Sequence, residues 1–172
     1  DVGICPTPTV LLMAKELKAD GNITVTASHN PIEYNGLEFA GKCGELLSAD
    51  EAEKLIQIYQ KRTFSLKGYE ALGSYQSFNG SVEIHMSKVM QMVNVETIRS
   101  RRFKVVLDCV NGAGSVISPK LLKNLGCETV ELNCQPDGLF PRDPEPSPKN
   151  LESLCRKVVE EGADIGFAHD GD

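Results

Sequence analysis

Apolar and polar residues alternate, or recur with helical period, along most of the chain, and this pattern predicts its helices and strands. In the first half, Val and Ile alternate with Thr, which indicates a strand at residues 23–27, and a second strand is expected at 37–40. A helix is predicted before them, with Thr7 as its N-cap, Pro8 in its first position and Gly21 just past its end.

A second helix is predicted after these strands, because Ser48 and Glu51 have the spacing of a capping box. Its apolar positions recur with helical period, at Ala52, Leu55, Ile56 and Tyr59. Residues 63–80 are rich in Gly and Ser and are expected to connect two units. A further helix is predicted over residues 82–93.

The second half is more regular. Strands are predicted at residues 103–108, 129–133 and 164–168, and helices at 119–125 and 150–161. This β-α-β-α-β order predicts an α/β fold in which mixed or parallel sheets are covered by helices. Two domains are expected, the first over residues 1–80 and the second over 81–172.

Charge and composition narrow the functional classes. The net charge of −6 argues against nucleic acid as a partner. No apolar run approaches the roughly 18 residues of a membrane span, and no signal peptide opens the chain. The six cysteines lack CxxC spacing, so reduced thiols in a cytoplasmic protein are expected, and a zinc site is disfavoured.

Polar groups follow three of the predicted strands, where parallel α/β sheets bind ligands. The first is Ser28, the second is the turn at residues 108–114, and the third is the acidic stretch at 169–172. The turn contains Gly112 and Gly114 but lacks the third glycine of a dinucleotide fingerprint, so a tight turn is favoured over a Rossmann-type site. Asp170 and Asp172 lie two residues apart, a spacing that allows both carboxylates to face one hard cation. The alternative is that they form a solvated acidic end without a metal.

Ser28 does not lie in the G-x-S-x-G motif of serine hydrolases. His29 is adjacent to it, but neighbouring side chains of an extended segment point to opposite sides. His29 is therefore predicted to be a poor base for Ser28 and is expected to be a hydrogen-bonded structural residue.

The stretch TASHNPIEYNGLEF, residues 26–39, resembles the phosphoserine loop of the α-D-phosphohexomutase family, whose signature is T-[AG]-S-H-N-P followed by an aromatic-Asn-Gly turn. The ending HDGD resembles the start of that family's metal loop, D-G-D-x-D-R. The segments GICPTPTV, CVNGAG and FPRDPEPSPKNL resemble other parts of the family in the same order, so the resemblance covers nearly the whole chain.

The resemblance implies an isomerase that interconverts hexose 1-phosphate and hexose 6-phosphate through a phosphoserine and a hexose bisphosphate. Ser28 would carry the phosphoryl group, and His29 and Asn30 would shape its loop. Asp170, Asp172 and the phosphate on Ser28 would bind one Mg²⁺, which prefers oxygen ligands. The partners implied are hexose phosphates and hexose bisphosphates. An unpaired sheet edge is also expected, and because such edges invite association, a homo-oligomer is a further expectation.

Two departures from the family are visible. Glu38 stands where the family usually has a Lys for proton transfer, and Lys42 lies about 13 Å further along a strand. The chain matches part of domain I and most of domain II, so we expect it to be inactive alone. The alternative is a non-catalytic relative that binds a sugar phosphate or another partner.

Overall fold

The computed structural model describes residues 1–172 and contains six α-helices and five β-strands in two separate sheets. None of the helices combines the length and apolar character that crossing a bilayer requires. In chain order the elements are α1 (Thr7–Glu16), β1 (Gly21–Val25), β2 (Leu37–Gly41), α2 (Ala49–Lys61), α3 (Ser81–Gln91), α4 (Val95–Arg101), β3 (Lys104–Asp108), α5 (Ser118–Asn124), β4 (Glu128–Leu132), α6 (Glu152–Glu161) and β5 (Ile165–Ala168).

The second half forms the parallel sheet that its sequence predicts. The strand order is β4-β3-β5, and both pairings are parallel. The central strand β3 is the most apolar, and Val105, Val106 and Leu107 are buried. Helix α6 packs on the sheet through the buried Leu154. Since all three strands run the same way, their carboxyl ends meet at one edge. There the turn after β3 lies beside residues 169–172, here called the acidic tail.

The first half forms an antiparallel hairpin, β1 with β2, and α1 packs against β1. The burial pattern of its side chains is the reverse of that in an ordinary half-buried sheet. The apolar Ile23, Val25 and Leu37 are exposed, while Thr24 is buried. This leaves an apolar face of the hairpin open to solvent. The association expected at a sheet edge is untested and stays a prediction.

A small apolar cluster joins the two halves. Cys5 and Val10 from the first half pack against Val82 and Met86 of α3 and against Ile117. Helices α1 and α3 are therefore in direct contact, which places the start of the chain against the second half. The domain boundary after residue 80 remains a prediction.

Several element boundaries differ from those predicted. Thr7 is not an N-cap: Pro6 occupies that position and its carbonyl accepts the first helical hydrogen bonds, so Thr7 lies in the first turn of α1. This helix ends at Glu16, and Gly21 begins β1. The helix predicted over 82–93 is confirmed as α3, which ends at Gln91. A further helix, α4, follows it and was not predicted; Asn94 caps its start.

The capping box of α2 is confirmed, since Ser48 and Glu51 each bond the other's backbone N–H. The apolar face predicted for this helix is not buried: none of its residues is fully enclosed, and Ile56 and Tyr59 are exposed.

Candidate active site

The turn that carries Ser28 begins three residues after β1 ends. Ser28 has a left-handed backbone with φ of 53°, which non-glycine residues rarely adopt outside tight turns. The turn is closed by Asn30, whose backbone N–H and side-chain amide both donate to the carbonyl of Ala27, at 3.1 and 2.8 Å. Ser28 is therefore presented to solvent on a turn that its own neighbours hold in shape.

Ser28 and His29 do not point to opposite sides, and that prediction is wrong. Oγ of Ser28 lies 3.3 Å from Nδ1 of His29, within hydrogen-bond range. Side chains alternate only in an extended segment, whereas the strand has already ended at Val25 and the left-handed turn brings these two side chains together. The same nitrogen of His29 lies 3.7 Å from a carboxylate oxygen of Glu145.

The acidic tail follows β5 and reaches the serine turn. The Oδ2 atom of Asp172 accepts hydrogen bonds from the hydroxyls of Thr26, at 2.9 Å, and Thr7, at 3.1 Å. The Thr26 hydroxyl oxygen also accepts from the backbone N–H of Ser28, at 2.9 Å. One threonine thus connects the serine turn directly to an aspartate that lies 146 residues further along the chain.

Asp170 and Asp172 form a pair of neighbouring carboxylates. Partial burial, and secondly the negative charge of Asp172, raise the pKa of Asp170 above its usual value. A divalent cation would relieve this repulsion. No group of three or more His, Cys, Asp or Glu side chains is placed to hold a metal ion. Two carboxylates fit Mg²⁺, which commonly uses one or two carboxylates together with phosphate oxygens and water.

Glycines allow the turn after β3 to approach the acidic tail. A Cβ on Gly112 would lie 2.4 Å from the carbonyl oxygen of Gly171, and that oxygen accepts from the N–H of Ala113 at 3.0 Å. A Cβ on Gly114 would meet the ring of His169 at 2.9 Å. The turn is thus packed against the chain's own tail, which supports the prediction of a tight turn over a nucleotide site.

A buried ion pair holds the start of the tail. Nε of Arg142 donates to Oδ2 of Asp108 at 2.8 Å, and the two side chains are 10% and 0% exposed. Nη2 of Arg142 donates to the carbonyl of His169 at 2.9 Å. The ring of His169 is hydrogen-bonded to Ser118, and burial lowers its pKa. Arg142 therefore ties the carboxyl end of β3 to the residue before Asp170.

Sequence reasoning did not find Arg142, Thr7 or Thr26 as site residues. Arg142 lies in a proline-rich loop, and no local periodicity links it to Asp108. Thr26 is the first residue of the segment that resembles the phosphoserine loop, and Thr7 lies in the segment GICPTPTV, but neither resemblance assigns a role to the threonine itself.

Glu38 lies apart from these groups. It is on β2 opposite Thr24, and no hydrogen bond or ion pair joins it to the serine turn or the acidic tail. Its Oε2 atom and the hydroxyl of Thr24 are both buried without a hydrogen-bond partner. Of the site residues predicted, the structure brings Ser28, His29, Asn30, Asp170 and Asp172 into one region and leaves Glu38 on the strand.

A cavity of about 750 Å³ opens beside the serine turn. Its walls come from α1 and β1, and its polar end contains Thr7, Thr26, Ser28 and Asp172. Phe140, whose ring touches Gly171, contributes an apolar wall at this end. Ser28 and Asp172 therefore line the same cavity.

Comparison with known proteins identifies the family. The protein-family model described as "Phosphoglucomutase/phosphomannomutase, alpha/beta/alpha domain II" matches residues 83–172, and the model for domain I matches residues 1–66. A Methanobrevibacter smithii protein named "Probable phosphoglucosamine mutase" is 39% identical over 172 residues, which are 99% of this chain and 38% of that protein. A Thermococcus kodakarensis "Phosphoglucomutase/phosphomannomutase" is 38% identical over 173 residues, which are 100% of this chain and 38% of that protein.

The fold comparison agrees. A crystal structure of a phosphoglucomutase/phosphomannomutase family protein from Burkholderia thailandensis matches with a TM-score of 0.83 and 33% identity, over 100% of this chain and 38% of that one. The chain spans 38% of the length of these curated relatives. With both halves of the sequence matched, and with the predicted α/β fold confirmed, the chain belongs to the phosphoglucomutase/phosphomannomutase family, the phosphohexomutases.

Proposed function

We propose that this chain supplies the phosphoryl-carrying serine and two metal-binding carboxylates of a phosphohexomutase, which interconverts hexose 1-phosphates and hexose 6-phosphates. The observation that carries the proposal is the position of the Thr26 hydroxyl, which accepts from the N–H of Ser28 and donates to Asp172, both at 2.9 Å. The serine turn and the acidic tail are thereby held together, as transfer from a phosphoserine beside a cation requires.

The proposed reaction begins with a phosphoryl group on Oγ of Ser28. A hydroxyl of the bound hexose phosphate attacks this group, so that Ser28 regains its hydroxyl and a hexose bisphosphate is formed. The bisphosphate turns over in the site, and Ser28 then accepts its other phosphoryl group. Because such transfer depends mainly on positioning and charge neutralisation, the exposed Ser28, which lies in a hydrogen-bonded turn, is suited to the role.

Asp170 and Asp172 are the residues proposed to hold Mg²⁺. When bound, the ion neutralises phosphate charge and polarises the phosphoryl group. Thr7 and Thr26 both bond Oδ2 of Asp172 and so fix the orientation of its carboxylate. Asn30 holds the serine turn, and His29 lies beside the hydroxyl that reacts.

Phosphorylation of Ser28 tests the proposal directly. The full-length protein is incubated with a hexose 1,6-bisphosphate and Mg²⁺, and its intact mass is measured. We expect a gain of one phosphate, its location at Ser28 by peptide mapping, and its loss on addition of a hexose 1-phosphate bearing no second phosphate. The variant Ser28→Ala should gain none, while Ser65→Ala, at an exposed serine outside the site, should behave as the parent.

A second candidate is a relative that binds a sugar phosphate without turnover, and the observation in its favour is Glu38. A carboxylate adds negative charge where the family usually supplies a cation, and its Oε2 atom is buried and unpaired. If the parent protein binds the bisphosphate but Ser28 never gains a phosphate, this candidate replaces the mutase. The 172 residues alone are expected to show no turnover, and measurable turnover would contradict that expectation.

A further inference from the structure

Two cysteines lie side by side at the carboxyl ends of neighbouring strands. Cys109 directly follows β3, and Cys134 comes two residues after β4. The backbone N–H of Cys109 donates to the carbonyl of Leu132 at 3.2 Å, which continues the pairing of the two strands beyond their ends. The thiol of Cys134 lies 3.2 Å from the same carbonyl and 3.8 Å from the carbonyl of Leu107, so it lies against the end of β3, which Cys109 directly follows.

The two thiols differ in exposure and acidity. Cys109 is fully buried, whereas Cys134 is partly open to solvent. Hydrogen bonding from the Cys109 thiol lowers the pKa of Cys134, and donation of that hydrogen bond together with burial raises the pKa of Cys109. An accessible thiol of lowered pKa beside a second, enclosed thiol is the arrangement of a reactive cysteine with its resolving partner.

We propose that Cys134 and Cys109 form a thiol–disulfide exchange site for low-molecular-weight disulfides, in which Cys134 attacks and Cys109 resolves. The position of the Cys134 thiol against the end of β3, and its greater exposure than Cys109, assign these roles. Cys127 provides a matched comparison because it is also partly exposed. The site does not depend on the proposed function.

The reaction balances in two steps. The Cys134 thiolate attacks one sulfur of the small disulfide, forms a mixed disulfide and releases one small thiol. The Cys109 sulfur then attacks the sulfur of Cys134, forms the Cys109–Cys134 bond and releases the second small thiol. The two protein thiol protons go to the two released thiols, so the protein loses two electrons and the small disulfide gains them.

The test uses oxidised glutathione as the probe. The folded protein is incubated with it, excess glutathione is removed in acid, and free thiols, including the buried Cys109, are then blocked with N-ethylmaleimide in a denaturant. The product is digested and analysed by mass spectrometry. Trypsin with an enzyme that cleaves after Glu128 or Glu131 separates Cys127 from Cys134. We expect loss of labelling at both Cys109 and Cys134, a linked pair of their peptides, and recovery of both labels after dithiothreitol.

Variants separate the two roles. Cys109→Ser should leave Cys134 carrying one glutathione, because no resolving thiol remains, and Cys127→Ser should form the same linked pair as the parent. The parent measurement needs no variant, so a misfolded substitution does not decide the outcome. The proposal is overturned if the parent keeps both thiols labelled while the exposed Cys43 and Cys155 react, or if the same linked pair forms equally well in concentrated urea.

Discussion

Replacement of Arg142 by Met is expected to destabilise the protein by about 3 kcal/mol. The change leaves the Asp108 carboxylate, which is 0% exposed, without its charged partner. Breaking a buried ion pair from one side costs about 3–5 kcal/mol, because an uncompensated charge stays enclosed. We expect the lower end of this energy range, since Oδ1 of Asp108 keeps hydrogen bonds from the N–H of Val110 and the amide of Asn133, at 2.9 and 3.1 Å.

Urea unfolding followed by circular dichroism measures this loss. With a slope of about 2 kcal/mol per molar urea, the midpoint should fall by about 1.5 M. Arg156→Met, at an exposed arginine of α6, is the matched control and should shift it little. The double variant with Asp108→Asn should recover part of the loss, because the enclosed charge is gone. Equal midpoints for Arg142→Met and Arg156→Met would refute the reasoning.

Three further predictions address the site and its surroundings. Gly112→Ala places a Cβ 2.4 Å from a backbone oxygen of Gly171 and should cost about 1–3 kcal/mol in urea unfolding, whereas Gly73→Ala, with open space around it, should cost far less. Thr26→Val removes the hydroxyl that bonds the acidic tail, so the rise in melting temperature on adding Mg²⁺ should shrink; an unchanged rise would contradict the role. Burial lowers the pKa of His85 in the folded state, so below neutral pH the unfolded chain takes up the proton first. The free energy of unfolding should therefore fall as pH drops through that window, and His85→Gln should reduce the slope, which unfolding at a series of pH values measures.

The parallel sheet was predictable because its signals are local. Strand β3 is enclosed on both faces and reads as a continuous apolar run, and turn residues separate the elements around it. The first half was harder to predict, since the hairpin exposes Ile23, Val25 and Leu37. The alternation of apolar and polar residues identifies a strand there, but it does not show which face of the hairpin other elements cover.

The site was predictable only in part, because its residues meet through long-range contacts. Asp170 and Asp172 were identified from their spacing, and Ser28 from its position after a strand. The contact of Ser28 with His29 depends on a left-handed backbone, which no residue pattern at that position specifies. The pairing of Arg142 with Asp108 depends on how a proline-rich loop returns to the sheet.

The hydrogen bonds from Thr7 and Thr26 to Asp172 have a thermodynamic consequence. They run between the two halves of the chain, so the geometry of the acidic tail depends on how those halves dock. By reciprocity, any ligand that binds the tail more tightly in the docked arrangement must strengthen docking by the same free energy. Substitutions in the remote apolar contact between α1 and α3 should then change the affinity for the proposed Mg²⁺, although they alter neither Asp170 nor Asp172. Binding of the cation should in turn stabilise the docking of the two halves.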